Sequence, residues 1–421
     1  MGKKIAYVTL GCKLNYAETS TYERALNGAG CEATSWTSGE ADVFLVNTCS
    51  VTEHSDKKCR NIIRKLHRLR PDADIVVTGC YAQLKREEIL ALDGVKAVFG
   101  AAEKNAVVPF ILSGTASAEA LCGDMKEGGS MFPAYSSGER TRSFLKVQDG
   151  CNNYCSYCTV PYARGESRNI PISEAVRQAK EIAASGIREI VLTGVNTGDF
   201  GRSTGENFFD LIRALDKVEG IDRYRISSIE PNLLTDGMIE WIASGTKFLP
   251  HFHIPLQSGC DHILKEMGRK YDTEFFAAKI DSIRRAMEGP GKLPVFFGID
   301  VIVGFPGETD EMFETTRRFL EERIRPAFIH IFPYSRRAGT VAAERKDQVR
   351  DSVKTDRVAV LEELCSRLND EFIAGCSGLE ANVLFESSDR KGMMYGYTEN
   401  YIQVARPYNA SLVGKICKVR L

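Results

Sequence analysis

Short apolar runs alternate with amphipathic stretches along the first quarter of the chain. Three of these runs, KIAYVTL, DVFLVNT and DIVVTG, are rich in β-forming residues and are followed by glycine or polar turns. Segments with helical periodicity, such as 17–29 and 55–69, lie between the runs. Because strands that alternate with helices form parallel sheets, residues 1–113 are predicted to be a doubly wound α/β domain.

The alternation resumes after a stretch that lacks periodicity. Residues 114–142 are rich in Gly, Ser and Ala, which is typical of a linker. From residue 143 to about 335, six apolar runs alternate with helical segments, and an amphipathic helix is expected at 347–372. Residues 143–372 are therefore predicted to form a partial (β/α)6 barrel plus a connecting helix, short of the eight units of a closed TIM barrel.

The last part of the chain changes character again. Within residues 373–421, short β-rich runs such as NVLFE and LVGKICKVRL are separated by turns. This pattern predicts a small β-barrel appended at the C-terminus.

Composition narrows the class of protein. The 421 residues are 43% hydrophobic and 26% charged, and a net charge of −1 argues neither for nor against nucleic acid as a partner. No apolar run approaches about 20 residues, and the start MGKKIAYVTLGC lacks the apolar core of a signal peptide. A cytoplasmic protein without a membrane span is expected. Its 13 cysteines then favour metal binding or catalysis over disulfides.

Three cysteines form one tight run in KVQDGCNNYCSYC. Cys151, Cys155 and Cys158 have the spacing C-x3-C-x2-C and follow the first strand of the predicted barrel, where strand ends carry active sites. Three thiolates can hold three irons of a 4Fe–4S cluster and leave the fourth iron open. The alternatives are a zinc knuckle or a structural cluster with a remote fourth ligand, but zinc usually takes paired C-x2-C units and none lies nearby.

A second set of cysteines is spread along the first domain. Cys12, Cys49 and Cys80 each follow one of the three predicted strands. The carboxyl ends of parallel strands border one crevice, so these thiols are predicted to meet there and to hold a second, auxiliary cluster. The alternative is three inert buried cysteines, as expected for Cys59 on the apolar face of its helix.

The first set resembles a known superfamily. CNNYCSYC matches the C-x3-C-x-aromatic-C pattern of radical S-adenosylmethionine (radical SAM) enzymes, with Tyr157 as the aromatic residue. With both sets present, the chain resembles the radical-SAM methylthiotransferases along essentially its whole length. The matching segments are LGCKLNYAET, VNTCSVTEHSDKKCR, VVTGCYAQ, CNNYCSYCTVPYARGESR, VLTGVNTGDFG, SSIEP, PLQSG, DVIVGFPGET and FPYSRRAGT.

The resemblance implies two 4Fe–4S clusters and S-adenosylmethionine as cofactors. In that family the cluster on Cys151, Cys155 and Cys158 cleaves S-adenosylmethionine to a 5′-deoxyadenosyl radical, which abstracts hydrogen from an unactivated C–H bond. The cluster on Cys12, Cys49 and Cys80 supplies sulfur that a first S-adenosylmethionine methylates. An electron donor such as flavodoxin or ferredoxin is implied, and the appended barrel is of the TRAM type. We expect a monomer.

Further site residues are expected at the strand ends of the barrel. Ser228 and Glu230 are candidates for the ribose or the amino group of the cofactor, with turn or structural roles as the alternative. The full set of cofactor candidates is Tyr157, Gly194, Asn196, Ser228, Glu230 and Gln257. The pair His251 and His253 lies on one strand face without a third ligand, so structural roles are favoured there.

The expected substrate is RNA. The helix after Cys49 is strongly basic, and a basic surface beside the auxiliary cluster suits a phosphate backbone, although a solvated helix face is the alternative. Its cations are Lys57, Lys58, Arg60, Arg64, Lys65, Arg68 and Arg70. The C-terminal barrel interleaves cations with tyrosines that could stack on bases or form its core: Arg390, Lys391, Arg406, Lys415, Lys418 and Arg420 with Tyr395, Tyr397, Tyr401 and Tyr408.

The family has three main branches, and the motifs favour one. TLGCKLNYAET, rather than TYGCQMN or SLGCPKN, is most similar to the branch that modifies N6-threonylcarbamoyladenosine at position 37 of tRNA, 3′ of the anticodon. The partner implied is the tRNA anticodon stem-loop. Its threonyl carboxylate calls for a cation, and Arg164 or Arg336 could serve. Arg164 and Arg168, just past the cysteine run, are also candidates to hold a carboxylate or to position the substrate, with structural hydrogen bonds as the alternative. The alternatives are N6-isopentenyladenosine, an aspartate of a ribosomal protein, or a non-catalytic iron–sulfur protein that binds RNA or senses redox state.

Overall fold

The computed structural model describes residues 2–114, 119–123, 131–138 and 141–421. It contains two mainly parallel sheets that follow one another along the chain, a two-stranded antiparallel sheet beside the second of them, and a final four-stranded antiparallel sheet. Within these residues no helix is both long and apolar enough to cross a bilayer.

The first domain is a six-stranded parallel sheet with helices on both faces. Residues of β3 alternate between the two faces, with Val43 and Leu45 against α1 and α5, and Phe44 and Val46 against α2, α3 and α4. The strand order is β2-β1-β3-β4-β5-β6, which confirms the doubly wound prediction. The elements are β1 Lys4–Thr9, α1 Lys13–Gly28, β2 Glu32–Thr34, β3 Val43–Thr48, α2 Glu53–Leu69, β4 Asp74–Gly79, α3 Cys80–Leu84, α4 Arg86–Leu90, β5 Val95–Phe99, α5 Val107–Ser113 and β6 Glu119–Leu121.

The stretch 114–142 does more than connect two domains where it is described. Its residues 119–121 form β6, the edge strand of the first sheet, and Ala134–Tyr135 form β7, the edge strand of the second. Gly, Ser and Ala enrichment predicts weak intrinsic structure, but exposed strand edges supply hydrogen-bonding partners that local composition does not reveal. Residues 115–118, 124–130 and 139–140 lie outside the described part of this stretch.

The second domain confirms the partial barrel. Six parallel strands, β8 and β11 to β15, curl around a lumen in the order β15-β14-β13-β12-β11-β8, and β7 adds an antiparallel edge. Its elements are β8 Arg142–Lys146, β9 Gln148–Asp149, α6 Val160–Arg164, β10 Arg168–Asn169, α7 Ile172–Ala184, β11 Glu189–Thr193, α8 Phe208–Asp216, β12 Arg223–Ile226, α9 Asp236–Ala243, β13 Phe248–Gln257, α10 Asp261–Glu266, α11 Thr273–Met287, β14 Phe296–Val303, α12 Asp310–Arg318, β15 Phe328–Pro333, α13 Val341–Glu344 and α14 Asp351–Ala374.

The helix α14 covers β15, the other edge strand of the second sheet. Leu361, Leu364 and Leu368 belong to the same buried core as Ile329 of β15. The helix begins and ends a few residues later than the predicted 347–372, and its start is displaced because Arg350 still has an extended backbone with ψ 146°.

The C-terminal domain is a four-stranded antiparallel sheet in the order β18-β17-β16-β19. Val383, Phe385 and Met394 form its small core, and the curled sheet fits the predicted small β-barrel. Its strands are β16 Glu380–Phe385, β17 Met393–Tyr397, β18 Gln403–Pro407 and β19 Ile416–Arg420.

The C-terminal domain docks on the amino ends of the barrel strands. Arg225 of β12 donates hydrogen bonds to the carbonyls of Thr398 and Glu399 at 2.7 and 2.8 Å. Arg223 donates to the carbonyl of Asn382 at 2.9 Å, and Arg142 of β8 pairs with Glu386 at 2.8 Å. These charged contacts, of which those of Arg223 and Arg225 are buried, close the end of the barrel that lies opposite the cysteine run.

Candidate active site

The cysteine run 151–158 forms a loop at the carboxyl end of the barrel. Its start is pinned because the Cys151 amide donates to the Gly165 carbonyl at 3.0 Å. Gly150 has φ +74°, and a Cβ there would lie 2.0 Å from the Glu166 carbonyl oxygen, so the closure of this loop requires glycine. The loop thereby directs its three thiols into one cavity of about 310 Å³, which we call the upper cavity.

The thiols of the run are shielded from water. Burial raises the pKa of Cys151 to about 11 and that of Cys158 to about 12. Free thiols in this setting stay protonated at neutral pH, and metal ligation would displace those protons. Two groups already donate toward the sulfurs: the Val160 amide to Cys158 Sγ at 3.4 Å and the Arg269 guanidinium to Cys155 Sγ at 3.2 Å. Donors of this kind stabilise thiolate sulfur.

Most of the expected cofactor residues line the upper cavity with the thiols. They come from successive strand ends, as the barrel pattern predicts, and are Tyr157, Asn196, Ser228, Glu230 and Gln257. Gln257 has φ +73°, an unfavourable backbone conformation for a non-glycine residue that is found most often at functional sites.

Gly194 is in a different position. A Cβ on this residue would lie 2.8 Å from Gln148 Oε1, so its close neighbour is the Gln148 side chain and not the cavity. Gln148 in turn accepts from the Asn196 amide at 2.9 Å. The glycine therefore makes room for a side chain that orders the Asn196 turn.

Arg269 is a site residue that the sequence did not reveal. Besides Cys155, its guanidinium donates to Glu230 Oε1 at 2.7 Å and to the Tyr271 hydroxyl at 2.8 Å. It follows a short helix in an ordinary-looking segment, EMGRKYD, and only the closure of the barrel brings it to the cysteine loop.

The second cysteine set assembles at the crevice of the first sheet. Cys12, Cys49 and Cys80 follow β1, β3 and β4, three neighbouring strands in parallel register. Burial raises the pKa of Cys49 to about 12, and the nearby thiols of Cys80 and Cys12 add to the rise. Burial also raises the pKa of Cys80. Cys49 and Cys80 are buried while Cys12 is exposed, so the set opens toward one side.

The close approach of these strand ends depends on Gly11. Its φ is +103°, and a Cβ would lie 2.6 Å from Cys49 Cβ and 2.9 Å from Cys49 Sγ. A side chain at this position would push the Cys49 thiol away from its neighbours.

We therefore expect Gly11→Ala to impair metal binding by the second set. The strained backbone and the clash together should cost about 1–3 kcal/mol of folding stability, and reconstituted protein should lack the iron of one cluster. Iron analysis after anaerobic reconstitution measures this. Gly237→Ala is the matched control, since α9 leaves open space at that residue; iron loading of G11A equal to that of G237A would contradict the assignment.

In both cysteine sets the thiols lie farther apart than the ligands of a single zinc ion would. A tetrahedral zinc site places sulfurs roughly 3.8 Å apart, given Zn–S distances of about 2.3 Å. Among the described residues, His253, Asp300 and His330 are the one group of at least three potential metal ligands whose ligand atoms all lie within 4.8 Å of one another. No three cysteine thiols lie within that distance of one another. Cysteines that hold different irons of a cluster are spaced more widely, so both sets fit an iron–sulfur cluster better than zinc.

A buried ion-pair network joins the two cysteine sets. Glu18 of α1 accepts from Lys104 at 2.6 Å and Lys146 at 2.7 Å. Arg164 of α6, directly after the cysteine run, reaches Asp149 at 2.8 Å and Glu18 at 3.5 Å. Burial alone would raise the pKa of Glu18. The positive charges of Lys104, Lys146 and Arg164 outweigh this effect and hold the pKa of Glu18 below its usual range.

The same network extends to the strand ends of the first domain. Arg164 donates to Asn15 Oδ1 at 2.6 Å, and Asn15 donates to the carbonyls of Leu10 and Thr48 at 2.8 and 2.9 Å. Leu10 and Thr48 come just before Cys12 and Cys49. The network therefore fixes the loops of the two cysteine sets relative to each other.

The candidate substrate cations fall into two groups. Arg164 lies inside the network, and Arg168 donates to the Arg164 carbonyl at 2.6 Å, so both are engaged. Arg336 is exposed and donates to the Ala343 carbonyl at 2.8 Å. Lys57 and Lys58 are exposed on α2, whose N-cap Thr52 lines the upper cavity, so this basic helix starts at the cavity mouth.

A second cavity of about 950 Å³ lies below the upper one, and we call it the lower cavity. Strands β13 and β14 each contribute residues to both cavities. Their residues His253 and Gly298 line the lower cavity, whereas Gln257 and Asp300, farther along the same strands, line the upper one. His253 Nε2 and Asp300 Oδ1 are 2.7 Å apart, so their contact lies where the two cavities adjoin.

The lower cavity is built by all three domains. The first domain contributes Cys12, Lys13 and Tyr16, the barrel contributes the lower strand residues, and the C-terminal domain contributes Tyr397 and Tyr401. Tyr401 lies 4.7 Å from the His251 ring and 4.8 Å from the Tyr397 ring. These two tyrosines face the lumen, whereas the cations of the C-terminal domain, Arg390, Lys391, Arg406, Lys415, Lys418 and Arg420, are exposed.

Comparison with known proteins gives matches along the whole chain. Residues 145–320 match the radical SAM superfamily, and residues 4–100 match uncharacterized protein family UPF0004. The threonylcarbamoyladenosine tRNA methylthiotransferase MtaB of Bacillus subtilis is 39% identical over 99% of this chain and 93% of its own length. MtaB of Aquifex aeolicus is 35% identical over 99% of each chain.

Two further matches are more distant. A tRNA-2-methylthio-N(6)-dimethylallyladenosine synthase of Wolbachia pipientis is 33% identical over 96% of this chain and 91% of its own length. The structure of TsrM, a radical S-adenosylmethionine methyltransferase from Kitasatospora setae with cobalamin and a [4Fe-4S] cluster bound, superposes with a TM-score of 0.58 at 14% identity, covering 94% of this chain and 81% of that chain. That likeness supports the fold alone.

Proposed function

Because this chain belongs to the radical S-adenosylmethionine methylthiotransferase family, we propose that it converts N6-threonylcarbamoyladenosine at position 37 of tRNA into its 2-methylthio derivative. The observation that carries the proposal is the pair of three-cysteine sets, held together by one buried network beside a shared lumen. A non-catalytic iron–sulfur protein that binds RNA or senses redox state would need only one set of cysteine ligands. It would also have no use for a cavity lined by polar groups from the strand ends.

The residues present fit the cofactors that the family implies. Cys151, Cys155 and Cys158 would hold the cluster that binds S-adenosylmethionine, and the upper cavity would take the rest of that cofactor. Cys12, Cys49 and Cys80 would hold the auxiliary cluster. When bound, these groups supply a carbon radical that removes a hydrogen atom from the substrate, together with sulfide sulfur and a methyl group that take its place.

The side chains of this chain position and shield that chemistry. Arg269 ties Cys155 to Glu230, so the cysteine loop and the β12 end are fixed as one unit. Asn196 Oδ1 accepts from the Glu230 amide at 3.3 Å and fixes the neighbouring turn. The barrel and the first domain both line the upper cavity, and their walls would limit the access of water to a carbon radical.

The surface supports RNA as the substrate class. The basic face of α2 begins at the mouth of the upper cavity, and the exposed cations of the C-terminal domain form a second basic surface. Phosphate contacts of this kind position RNA without reading its bases. Recognition of the adenosine then has to occur inside the lumen.

Nucleoside analysis tests the proposal. We expect that tRNA from a strain lacking this gene loses the 2-methylthio derivative of N6-threonylcarbamoyladenosine and accumulates the unmodified nucleoside, and that the wild-type gene restores it. Liquid chromatography with mass spectrometry measures both. Loss of the 2-methylthio derivative of N6-isopentenyladenosine instead, or of neither nucleoside, would contradict it.

A further inference from the structure

The lower cavity is lined by one lysine, Lys13, whose ammonium makes no hydrogen bond or ion pair with any residue that the structure describes. Lys13 is the first residue of α1, directly after Cys12, and its side chain is exposed to the cavity although the three domains surround it. A lysine that lines a cavity without a hydrogen-bond acceptor or an ion-pair partner makes no contact that would give it a structural role.

The other cations of the cavity wall differ from Lys13 in this respect. Arg225 pairs with Glu189 at 2.9 Å and also binds two carbonyls of the C-terminal domain. Arg142 pairs with Glu386 at 2.8 Å and donates to the Tyr401 hydroxyl at 3.3 Å. Both arginines therefore serve the domain contact, and Lys13 is left as the cation that a ligand can reach.

The surroundings favour an anion beside Lys13. The cations are Lys13, Arg142, Arg223 and Arg225, and the carboxylates near them are Glu189, Glu386 and Asp300, so the group as a whole carries one unbalanced positive charge. Between protein walls of low dielectric constant such a field attracts a negative group more strongly than it would in bulk water.

We propose that Lys13 binds the carboxylate carried by the N6 substituent of the substrate adenosine, and that it thereby selects a charged substituent over an apolar one. This inference rests on the proposed function. In adenine only N1 separates C6 from C2, so a substituent that folds over N1 carries its end toward the C2 side. Lys13 adjoins Cys12, a residue of the sulfur-donating set, so a carboxylate held there leaves C2 facing that set.

The proposal changes the assignment of the substrate cation. The sequence analysis named Arg164 or Arg336 for this carboxylate and Arg168 as a further substrate cation. Arg164 and Arg168 are engaged in the buried network, and Arg336 is on the surface. Lys13 is also the cation nearest in sequence to a cluster ligand. Its backbone continues from the Cys12 N-cap, so the ammonium and the thiol are placed by the same helix start.

The test combines a change in the protein with a change in the substrate. Anaerobically reconstituted wild-type protein, Lys13→Gln and Lys13→Arg are compared on two anticodon stem-loops, one with the natural threonyl carboxylate and one with that group as its neutral amide. A charge-assisted hydrogen bond of ordinary strength predicts that wild-type kcat/KM falls about 10- to 100-fold on the amide. The kcat/KM of K13Q on the natural substrate should be lower than that of the wild type by the same factor. On the amide, K13Q and the wild type should have equal kcat/KM. K13R should recover most of the kcat/KM on the natural substrate.

Two controls keep the test interpretable. Lys180→Gln, on the outer helix α7, should behave as wild type. Iron content and 5′-deoxyadenosine formation show whether K13Q retains both clusters. If K13Q loses a cluster, the role of the carboxylate is judged from the activity of the wild-type protein on the two substrates. Equal wild-type activity on acid and amide, or an additional loss of K13Q on the amide, would overturn the role of Lys13. No methylthiolation of either stem-loop by wild-type protein would instead overturn the proposed function.

Discussion

Replacing Cys12, Cys49 and Cys80 together by alanine should abolish methylthiolation and leave cleavage of S-adenosylmethionine in place. The two cysteine sets belong to different domains, so the run at Cys151–Cys158 should still load its own cluster. Reconstituted protein should fall from about eight irons per chain to about four, one cubane cluster being lost. Iron analysis, 5′-deoxyadenosine formation and product analysis measure the three quantities.

A matched variant isolates this effect from the general loss of buried cysteines. Cys365→Ala with Cys376→Ala removes two buried thiols in α14 and the segment after it, far along the chain from either set. That variant should keep both clusters and full product formation. If the triple variant also kept about eight irons and formed product, the second set would not be a cluster site.

The second large effect is expected for Glu18→Gln. Glu18 is completely buried, and its loss leaves Lys104, Lys146 and Arg164 with too few carboxylates in an environment without water. Removing one partner of a buried charge network typically costs about 3–5 kcal/mol of folding free energy. Urea titration of the anaerobic apoprotein measures the shift of the unfolding midpoint.

The control for Glu18 is a pair on α7 in which Glu174 is half-buried and Arg177 is exposed. Glu174 pairs with Arg177 at 2.6 Å at the surface, so Glu174→Gln should change stability by no more than about 1 kcal/mol. A midpoint for E18Q that matches the midpoint for E174Q would show that the buried network does not hold the two domains together.

The part of the site that follows strand ends could be predicted from the sequence. Parallel strands bring their carboxyl ends to one edge, so the positions of Cys12, Cys49 and Cys80 after three strands already predicted one crevice. The same rule placed Ser228, Glu230 and Gln257 around one cavity. These predictions needed only the strand order and the direction of the chain.

The part that depends on partners distant in sequence could not be predicted. Arg164 reads as a free cation near the cysteine run, but Glu18 and Asp149 neutralise it in the fold. In the sequence, Lys13 is an ordinary polar residue at the start of a helix. Its place in a cavity lined by three domains is what distinguishes it from the other lysines, and that place is known only from the fold. Charge pairing across domains leaves no periodic signal, so it appears only when the domains are assembled.

The central claim is that the sulfur inserted into the substrate comes from the set Cys12, Cys49 and Cys80. Protein reconstituted with heavy-isotope sulfide and freed of excess sulfide can be given S-adenosylmethionine and the threonylcarbamoylated anticodon stem-loop for a single turnover. Mass spectrometry of the digested RNA should find the heavy sulfur in the methylthio group. A product that contains only light sulfur, or labelled product from the variant without those three cysteines, would contradict the claim.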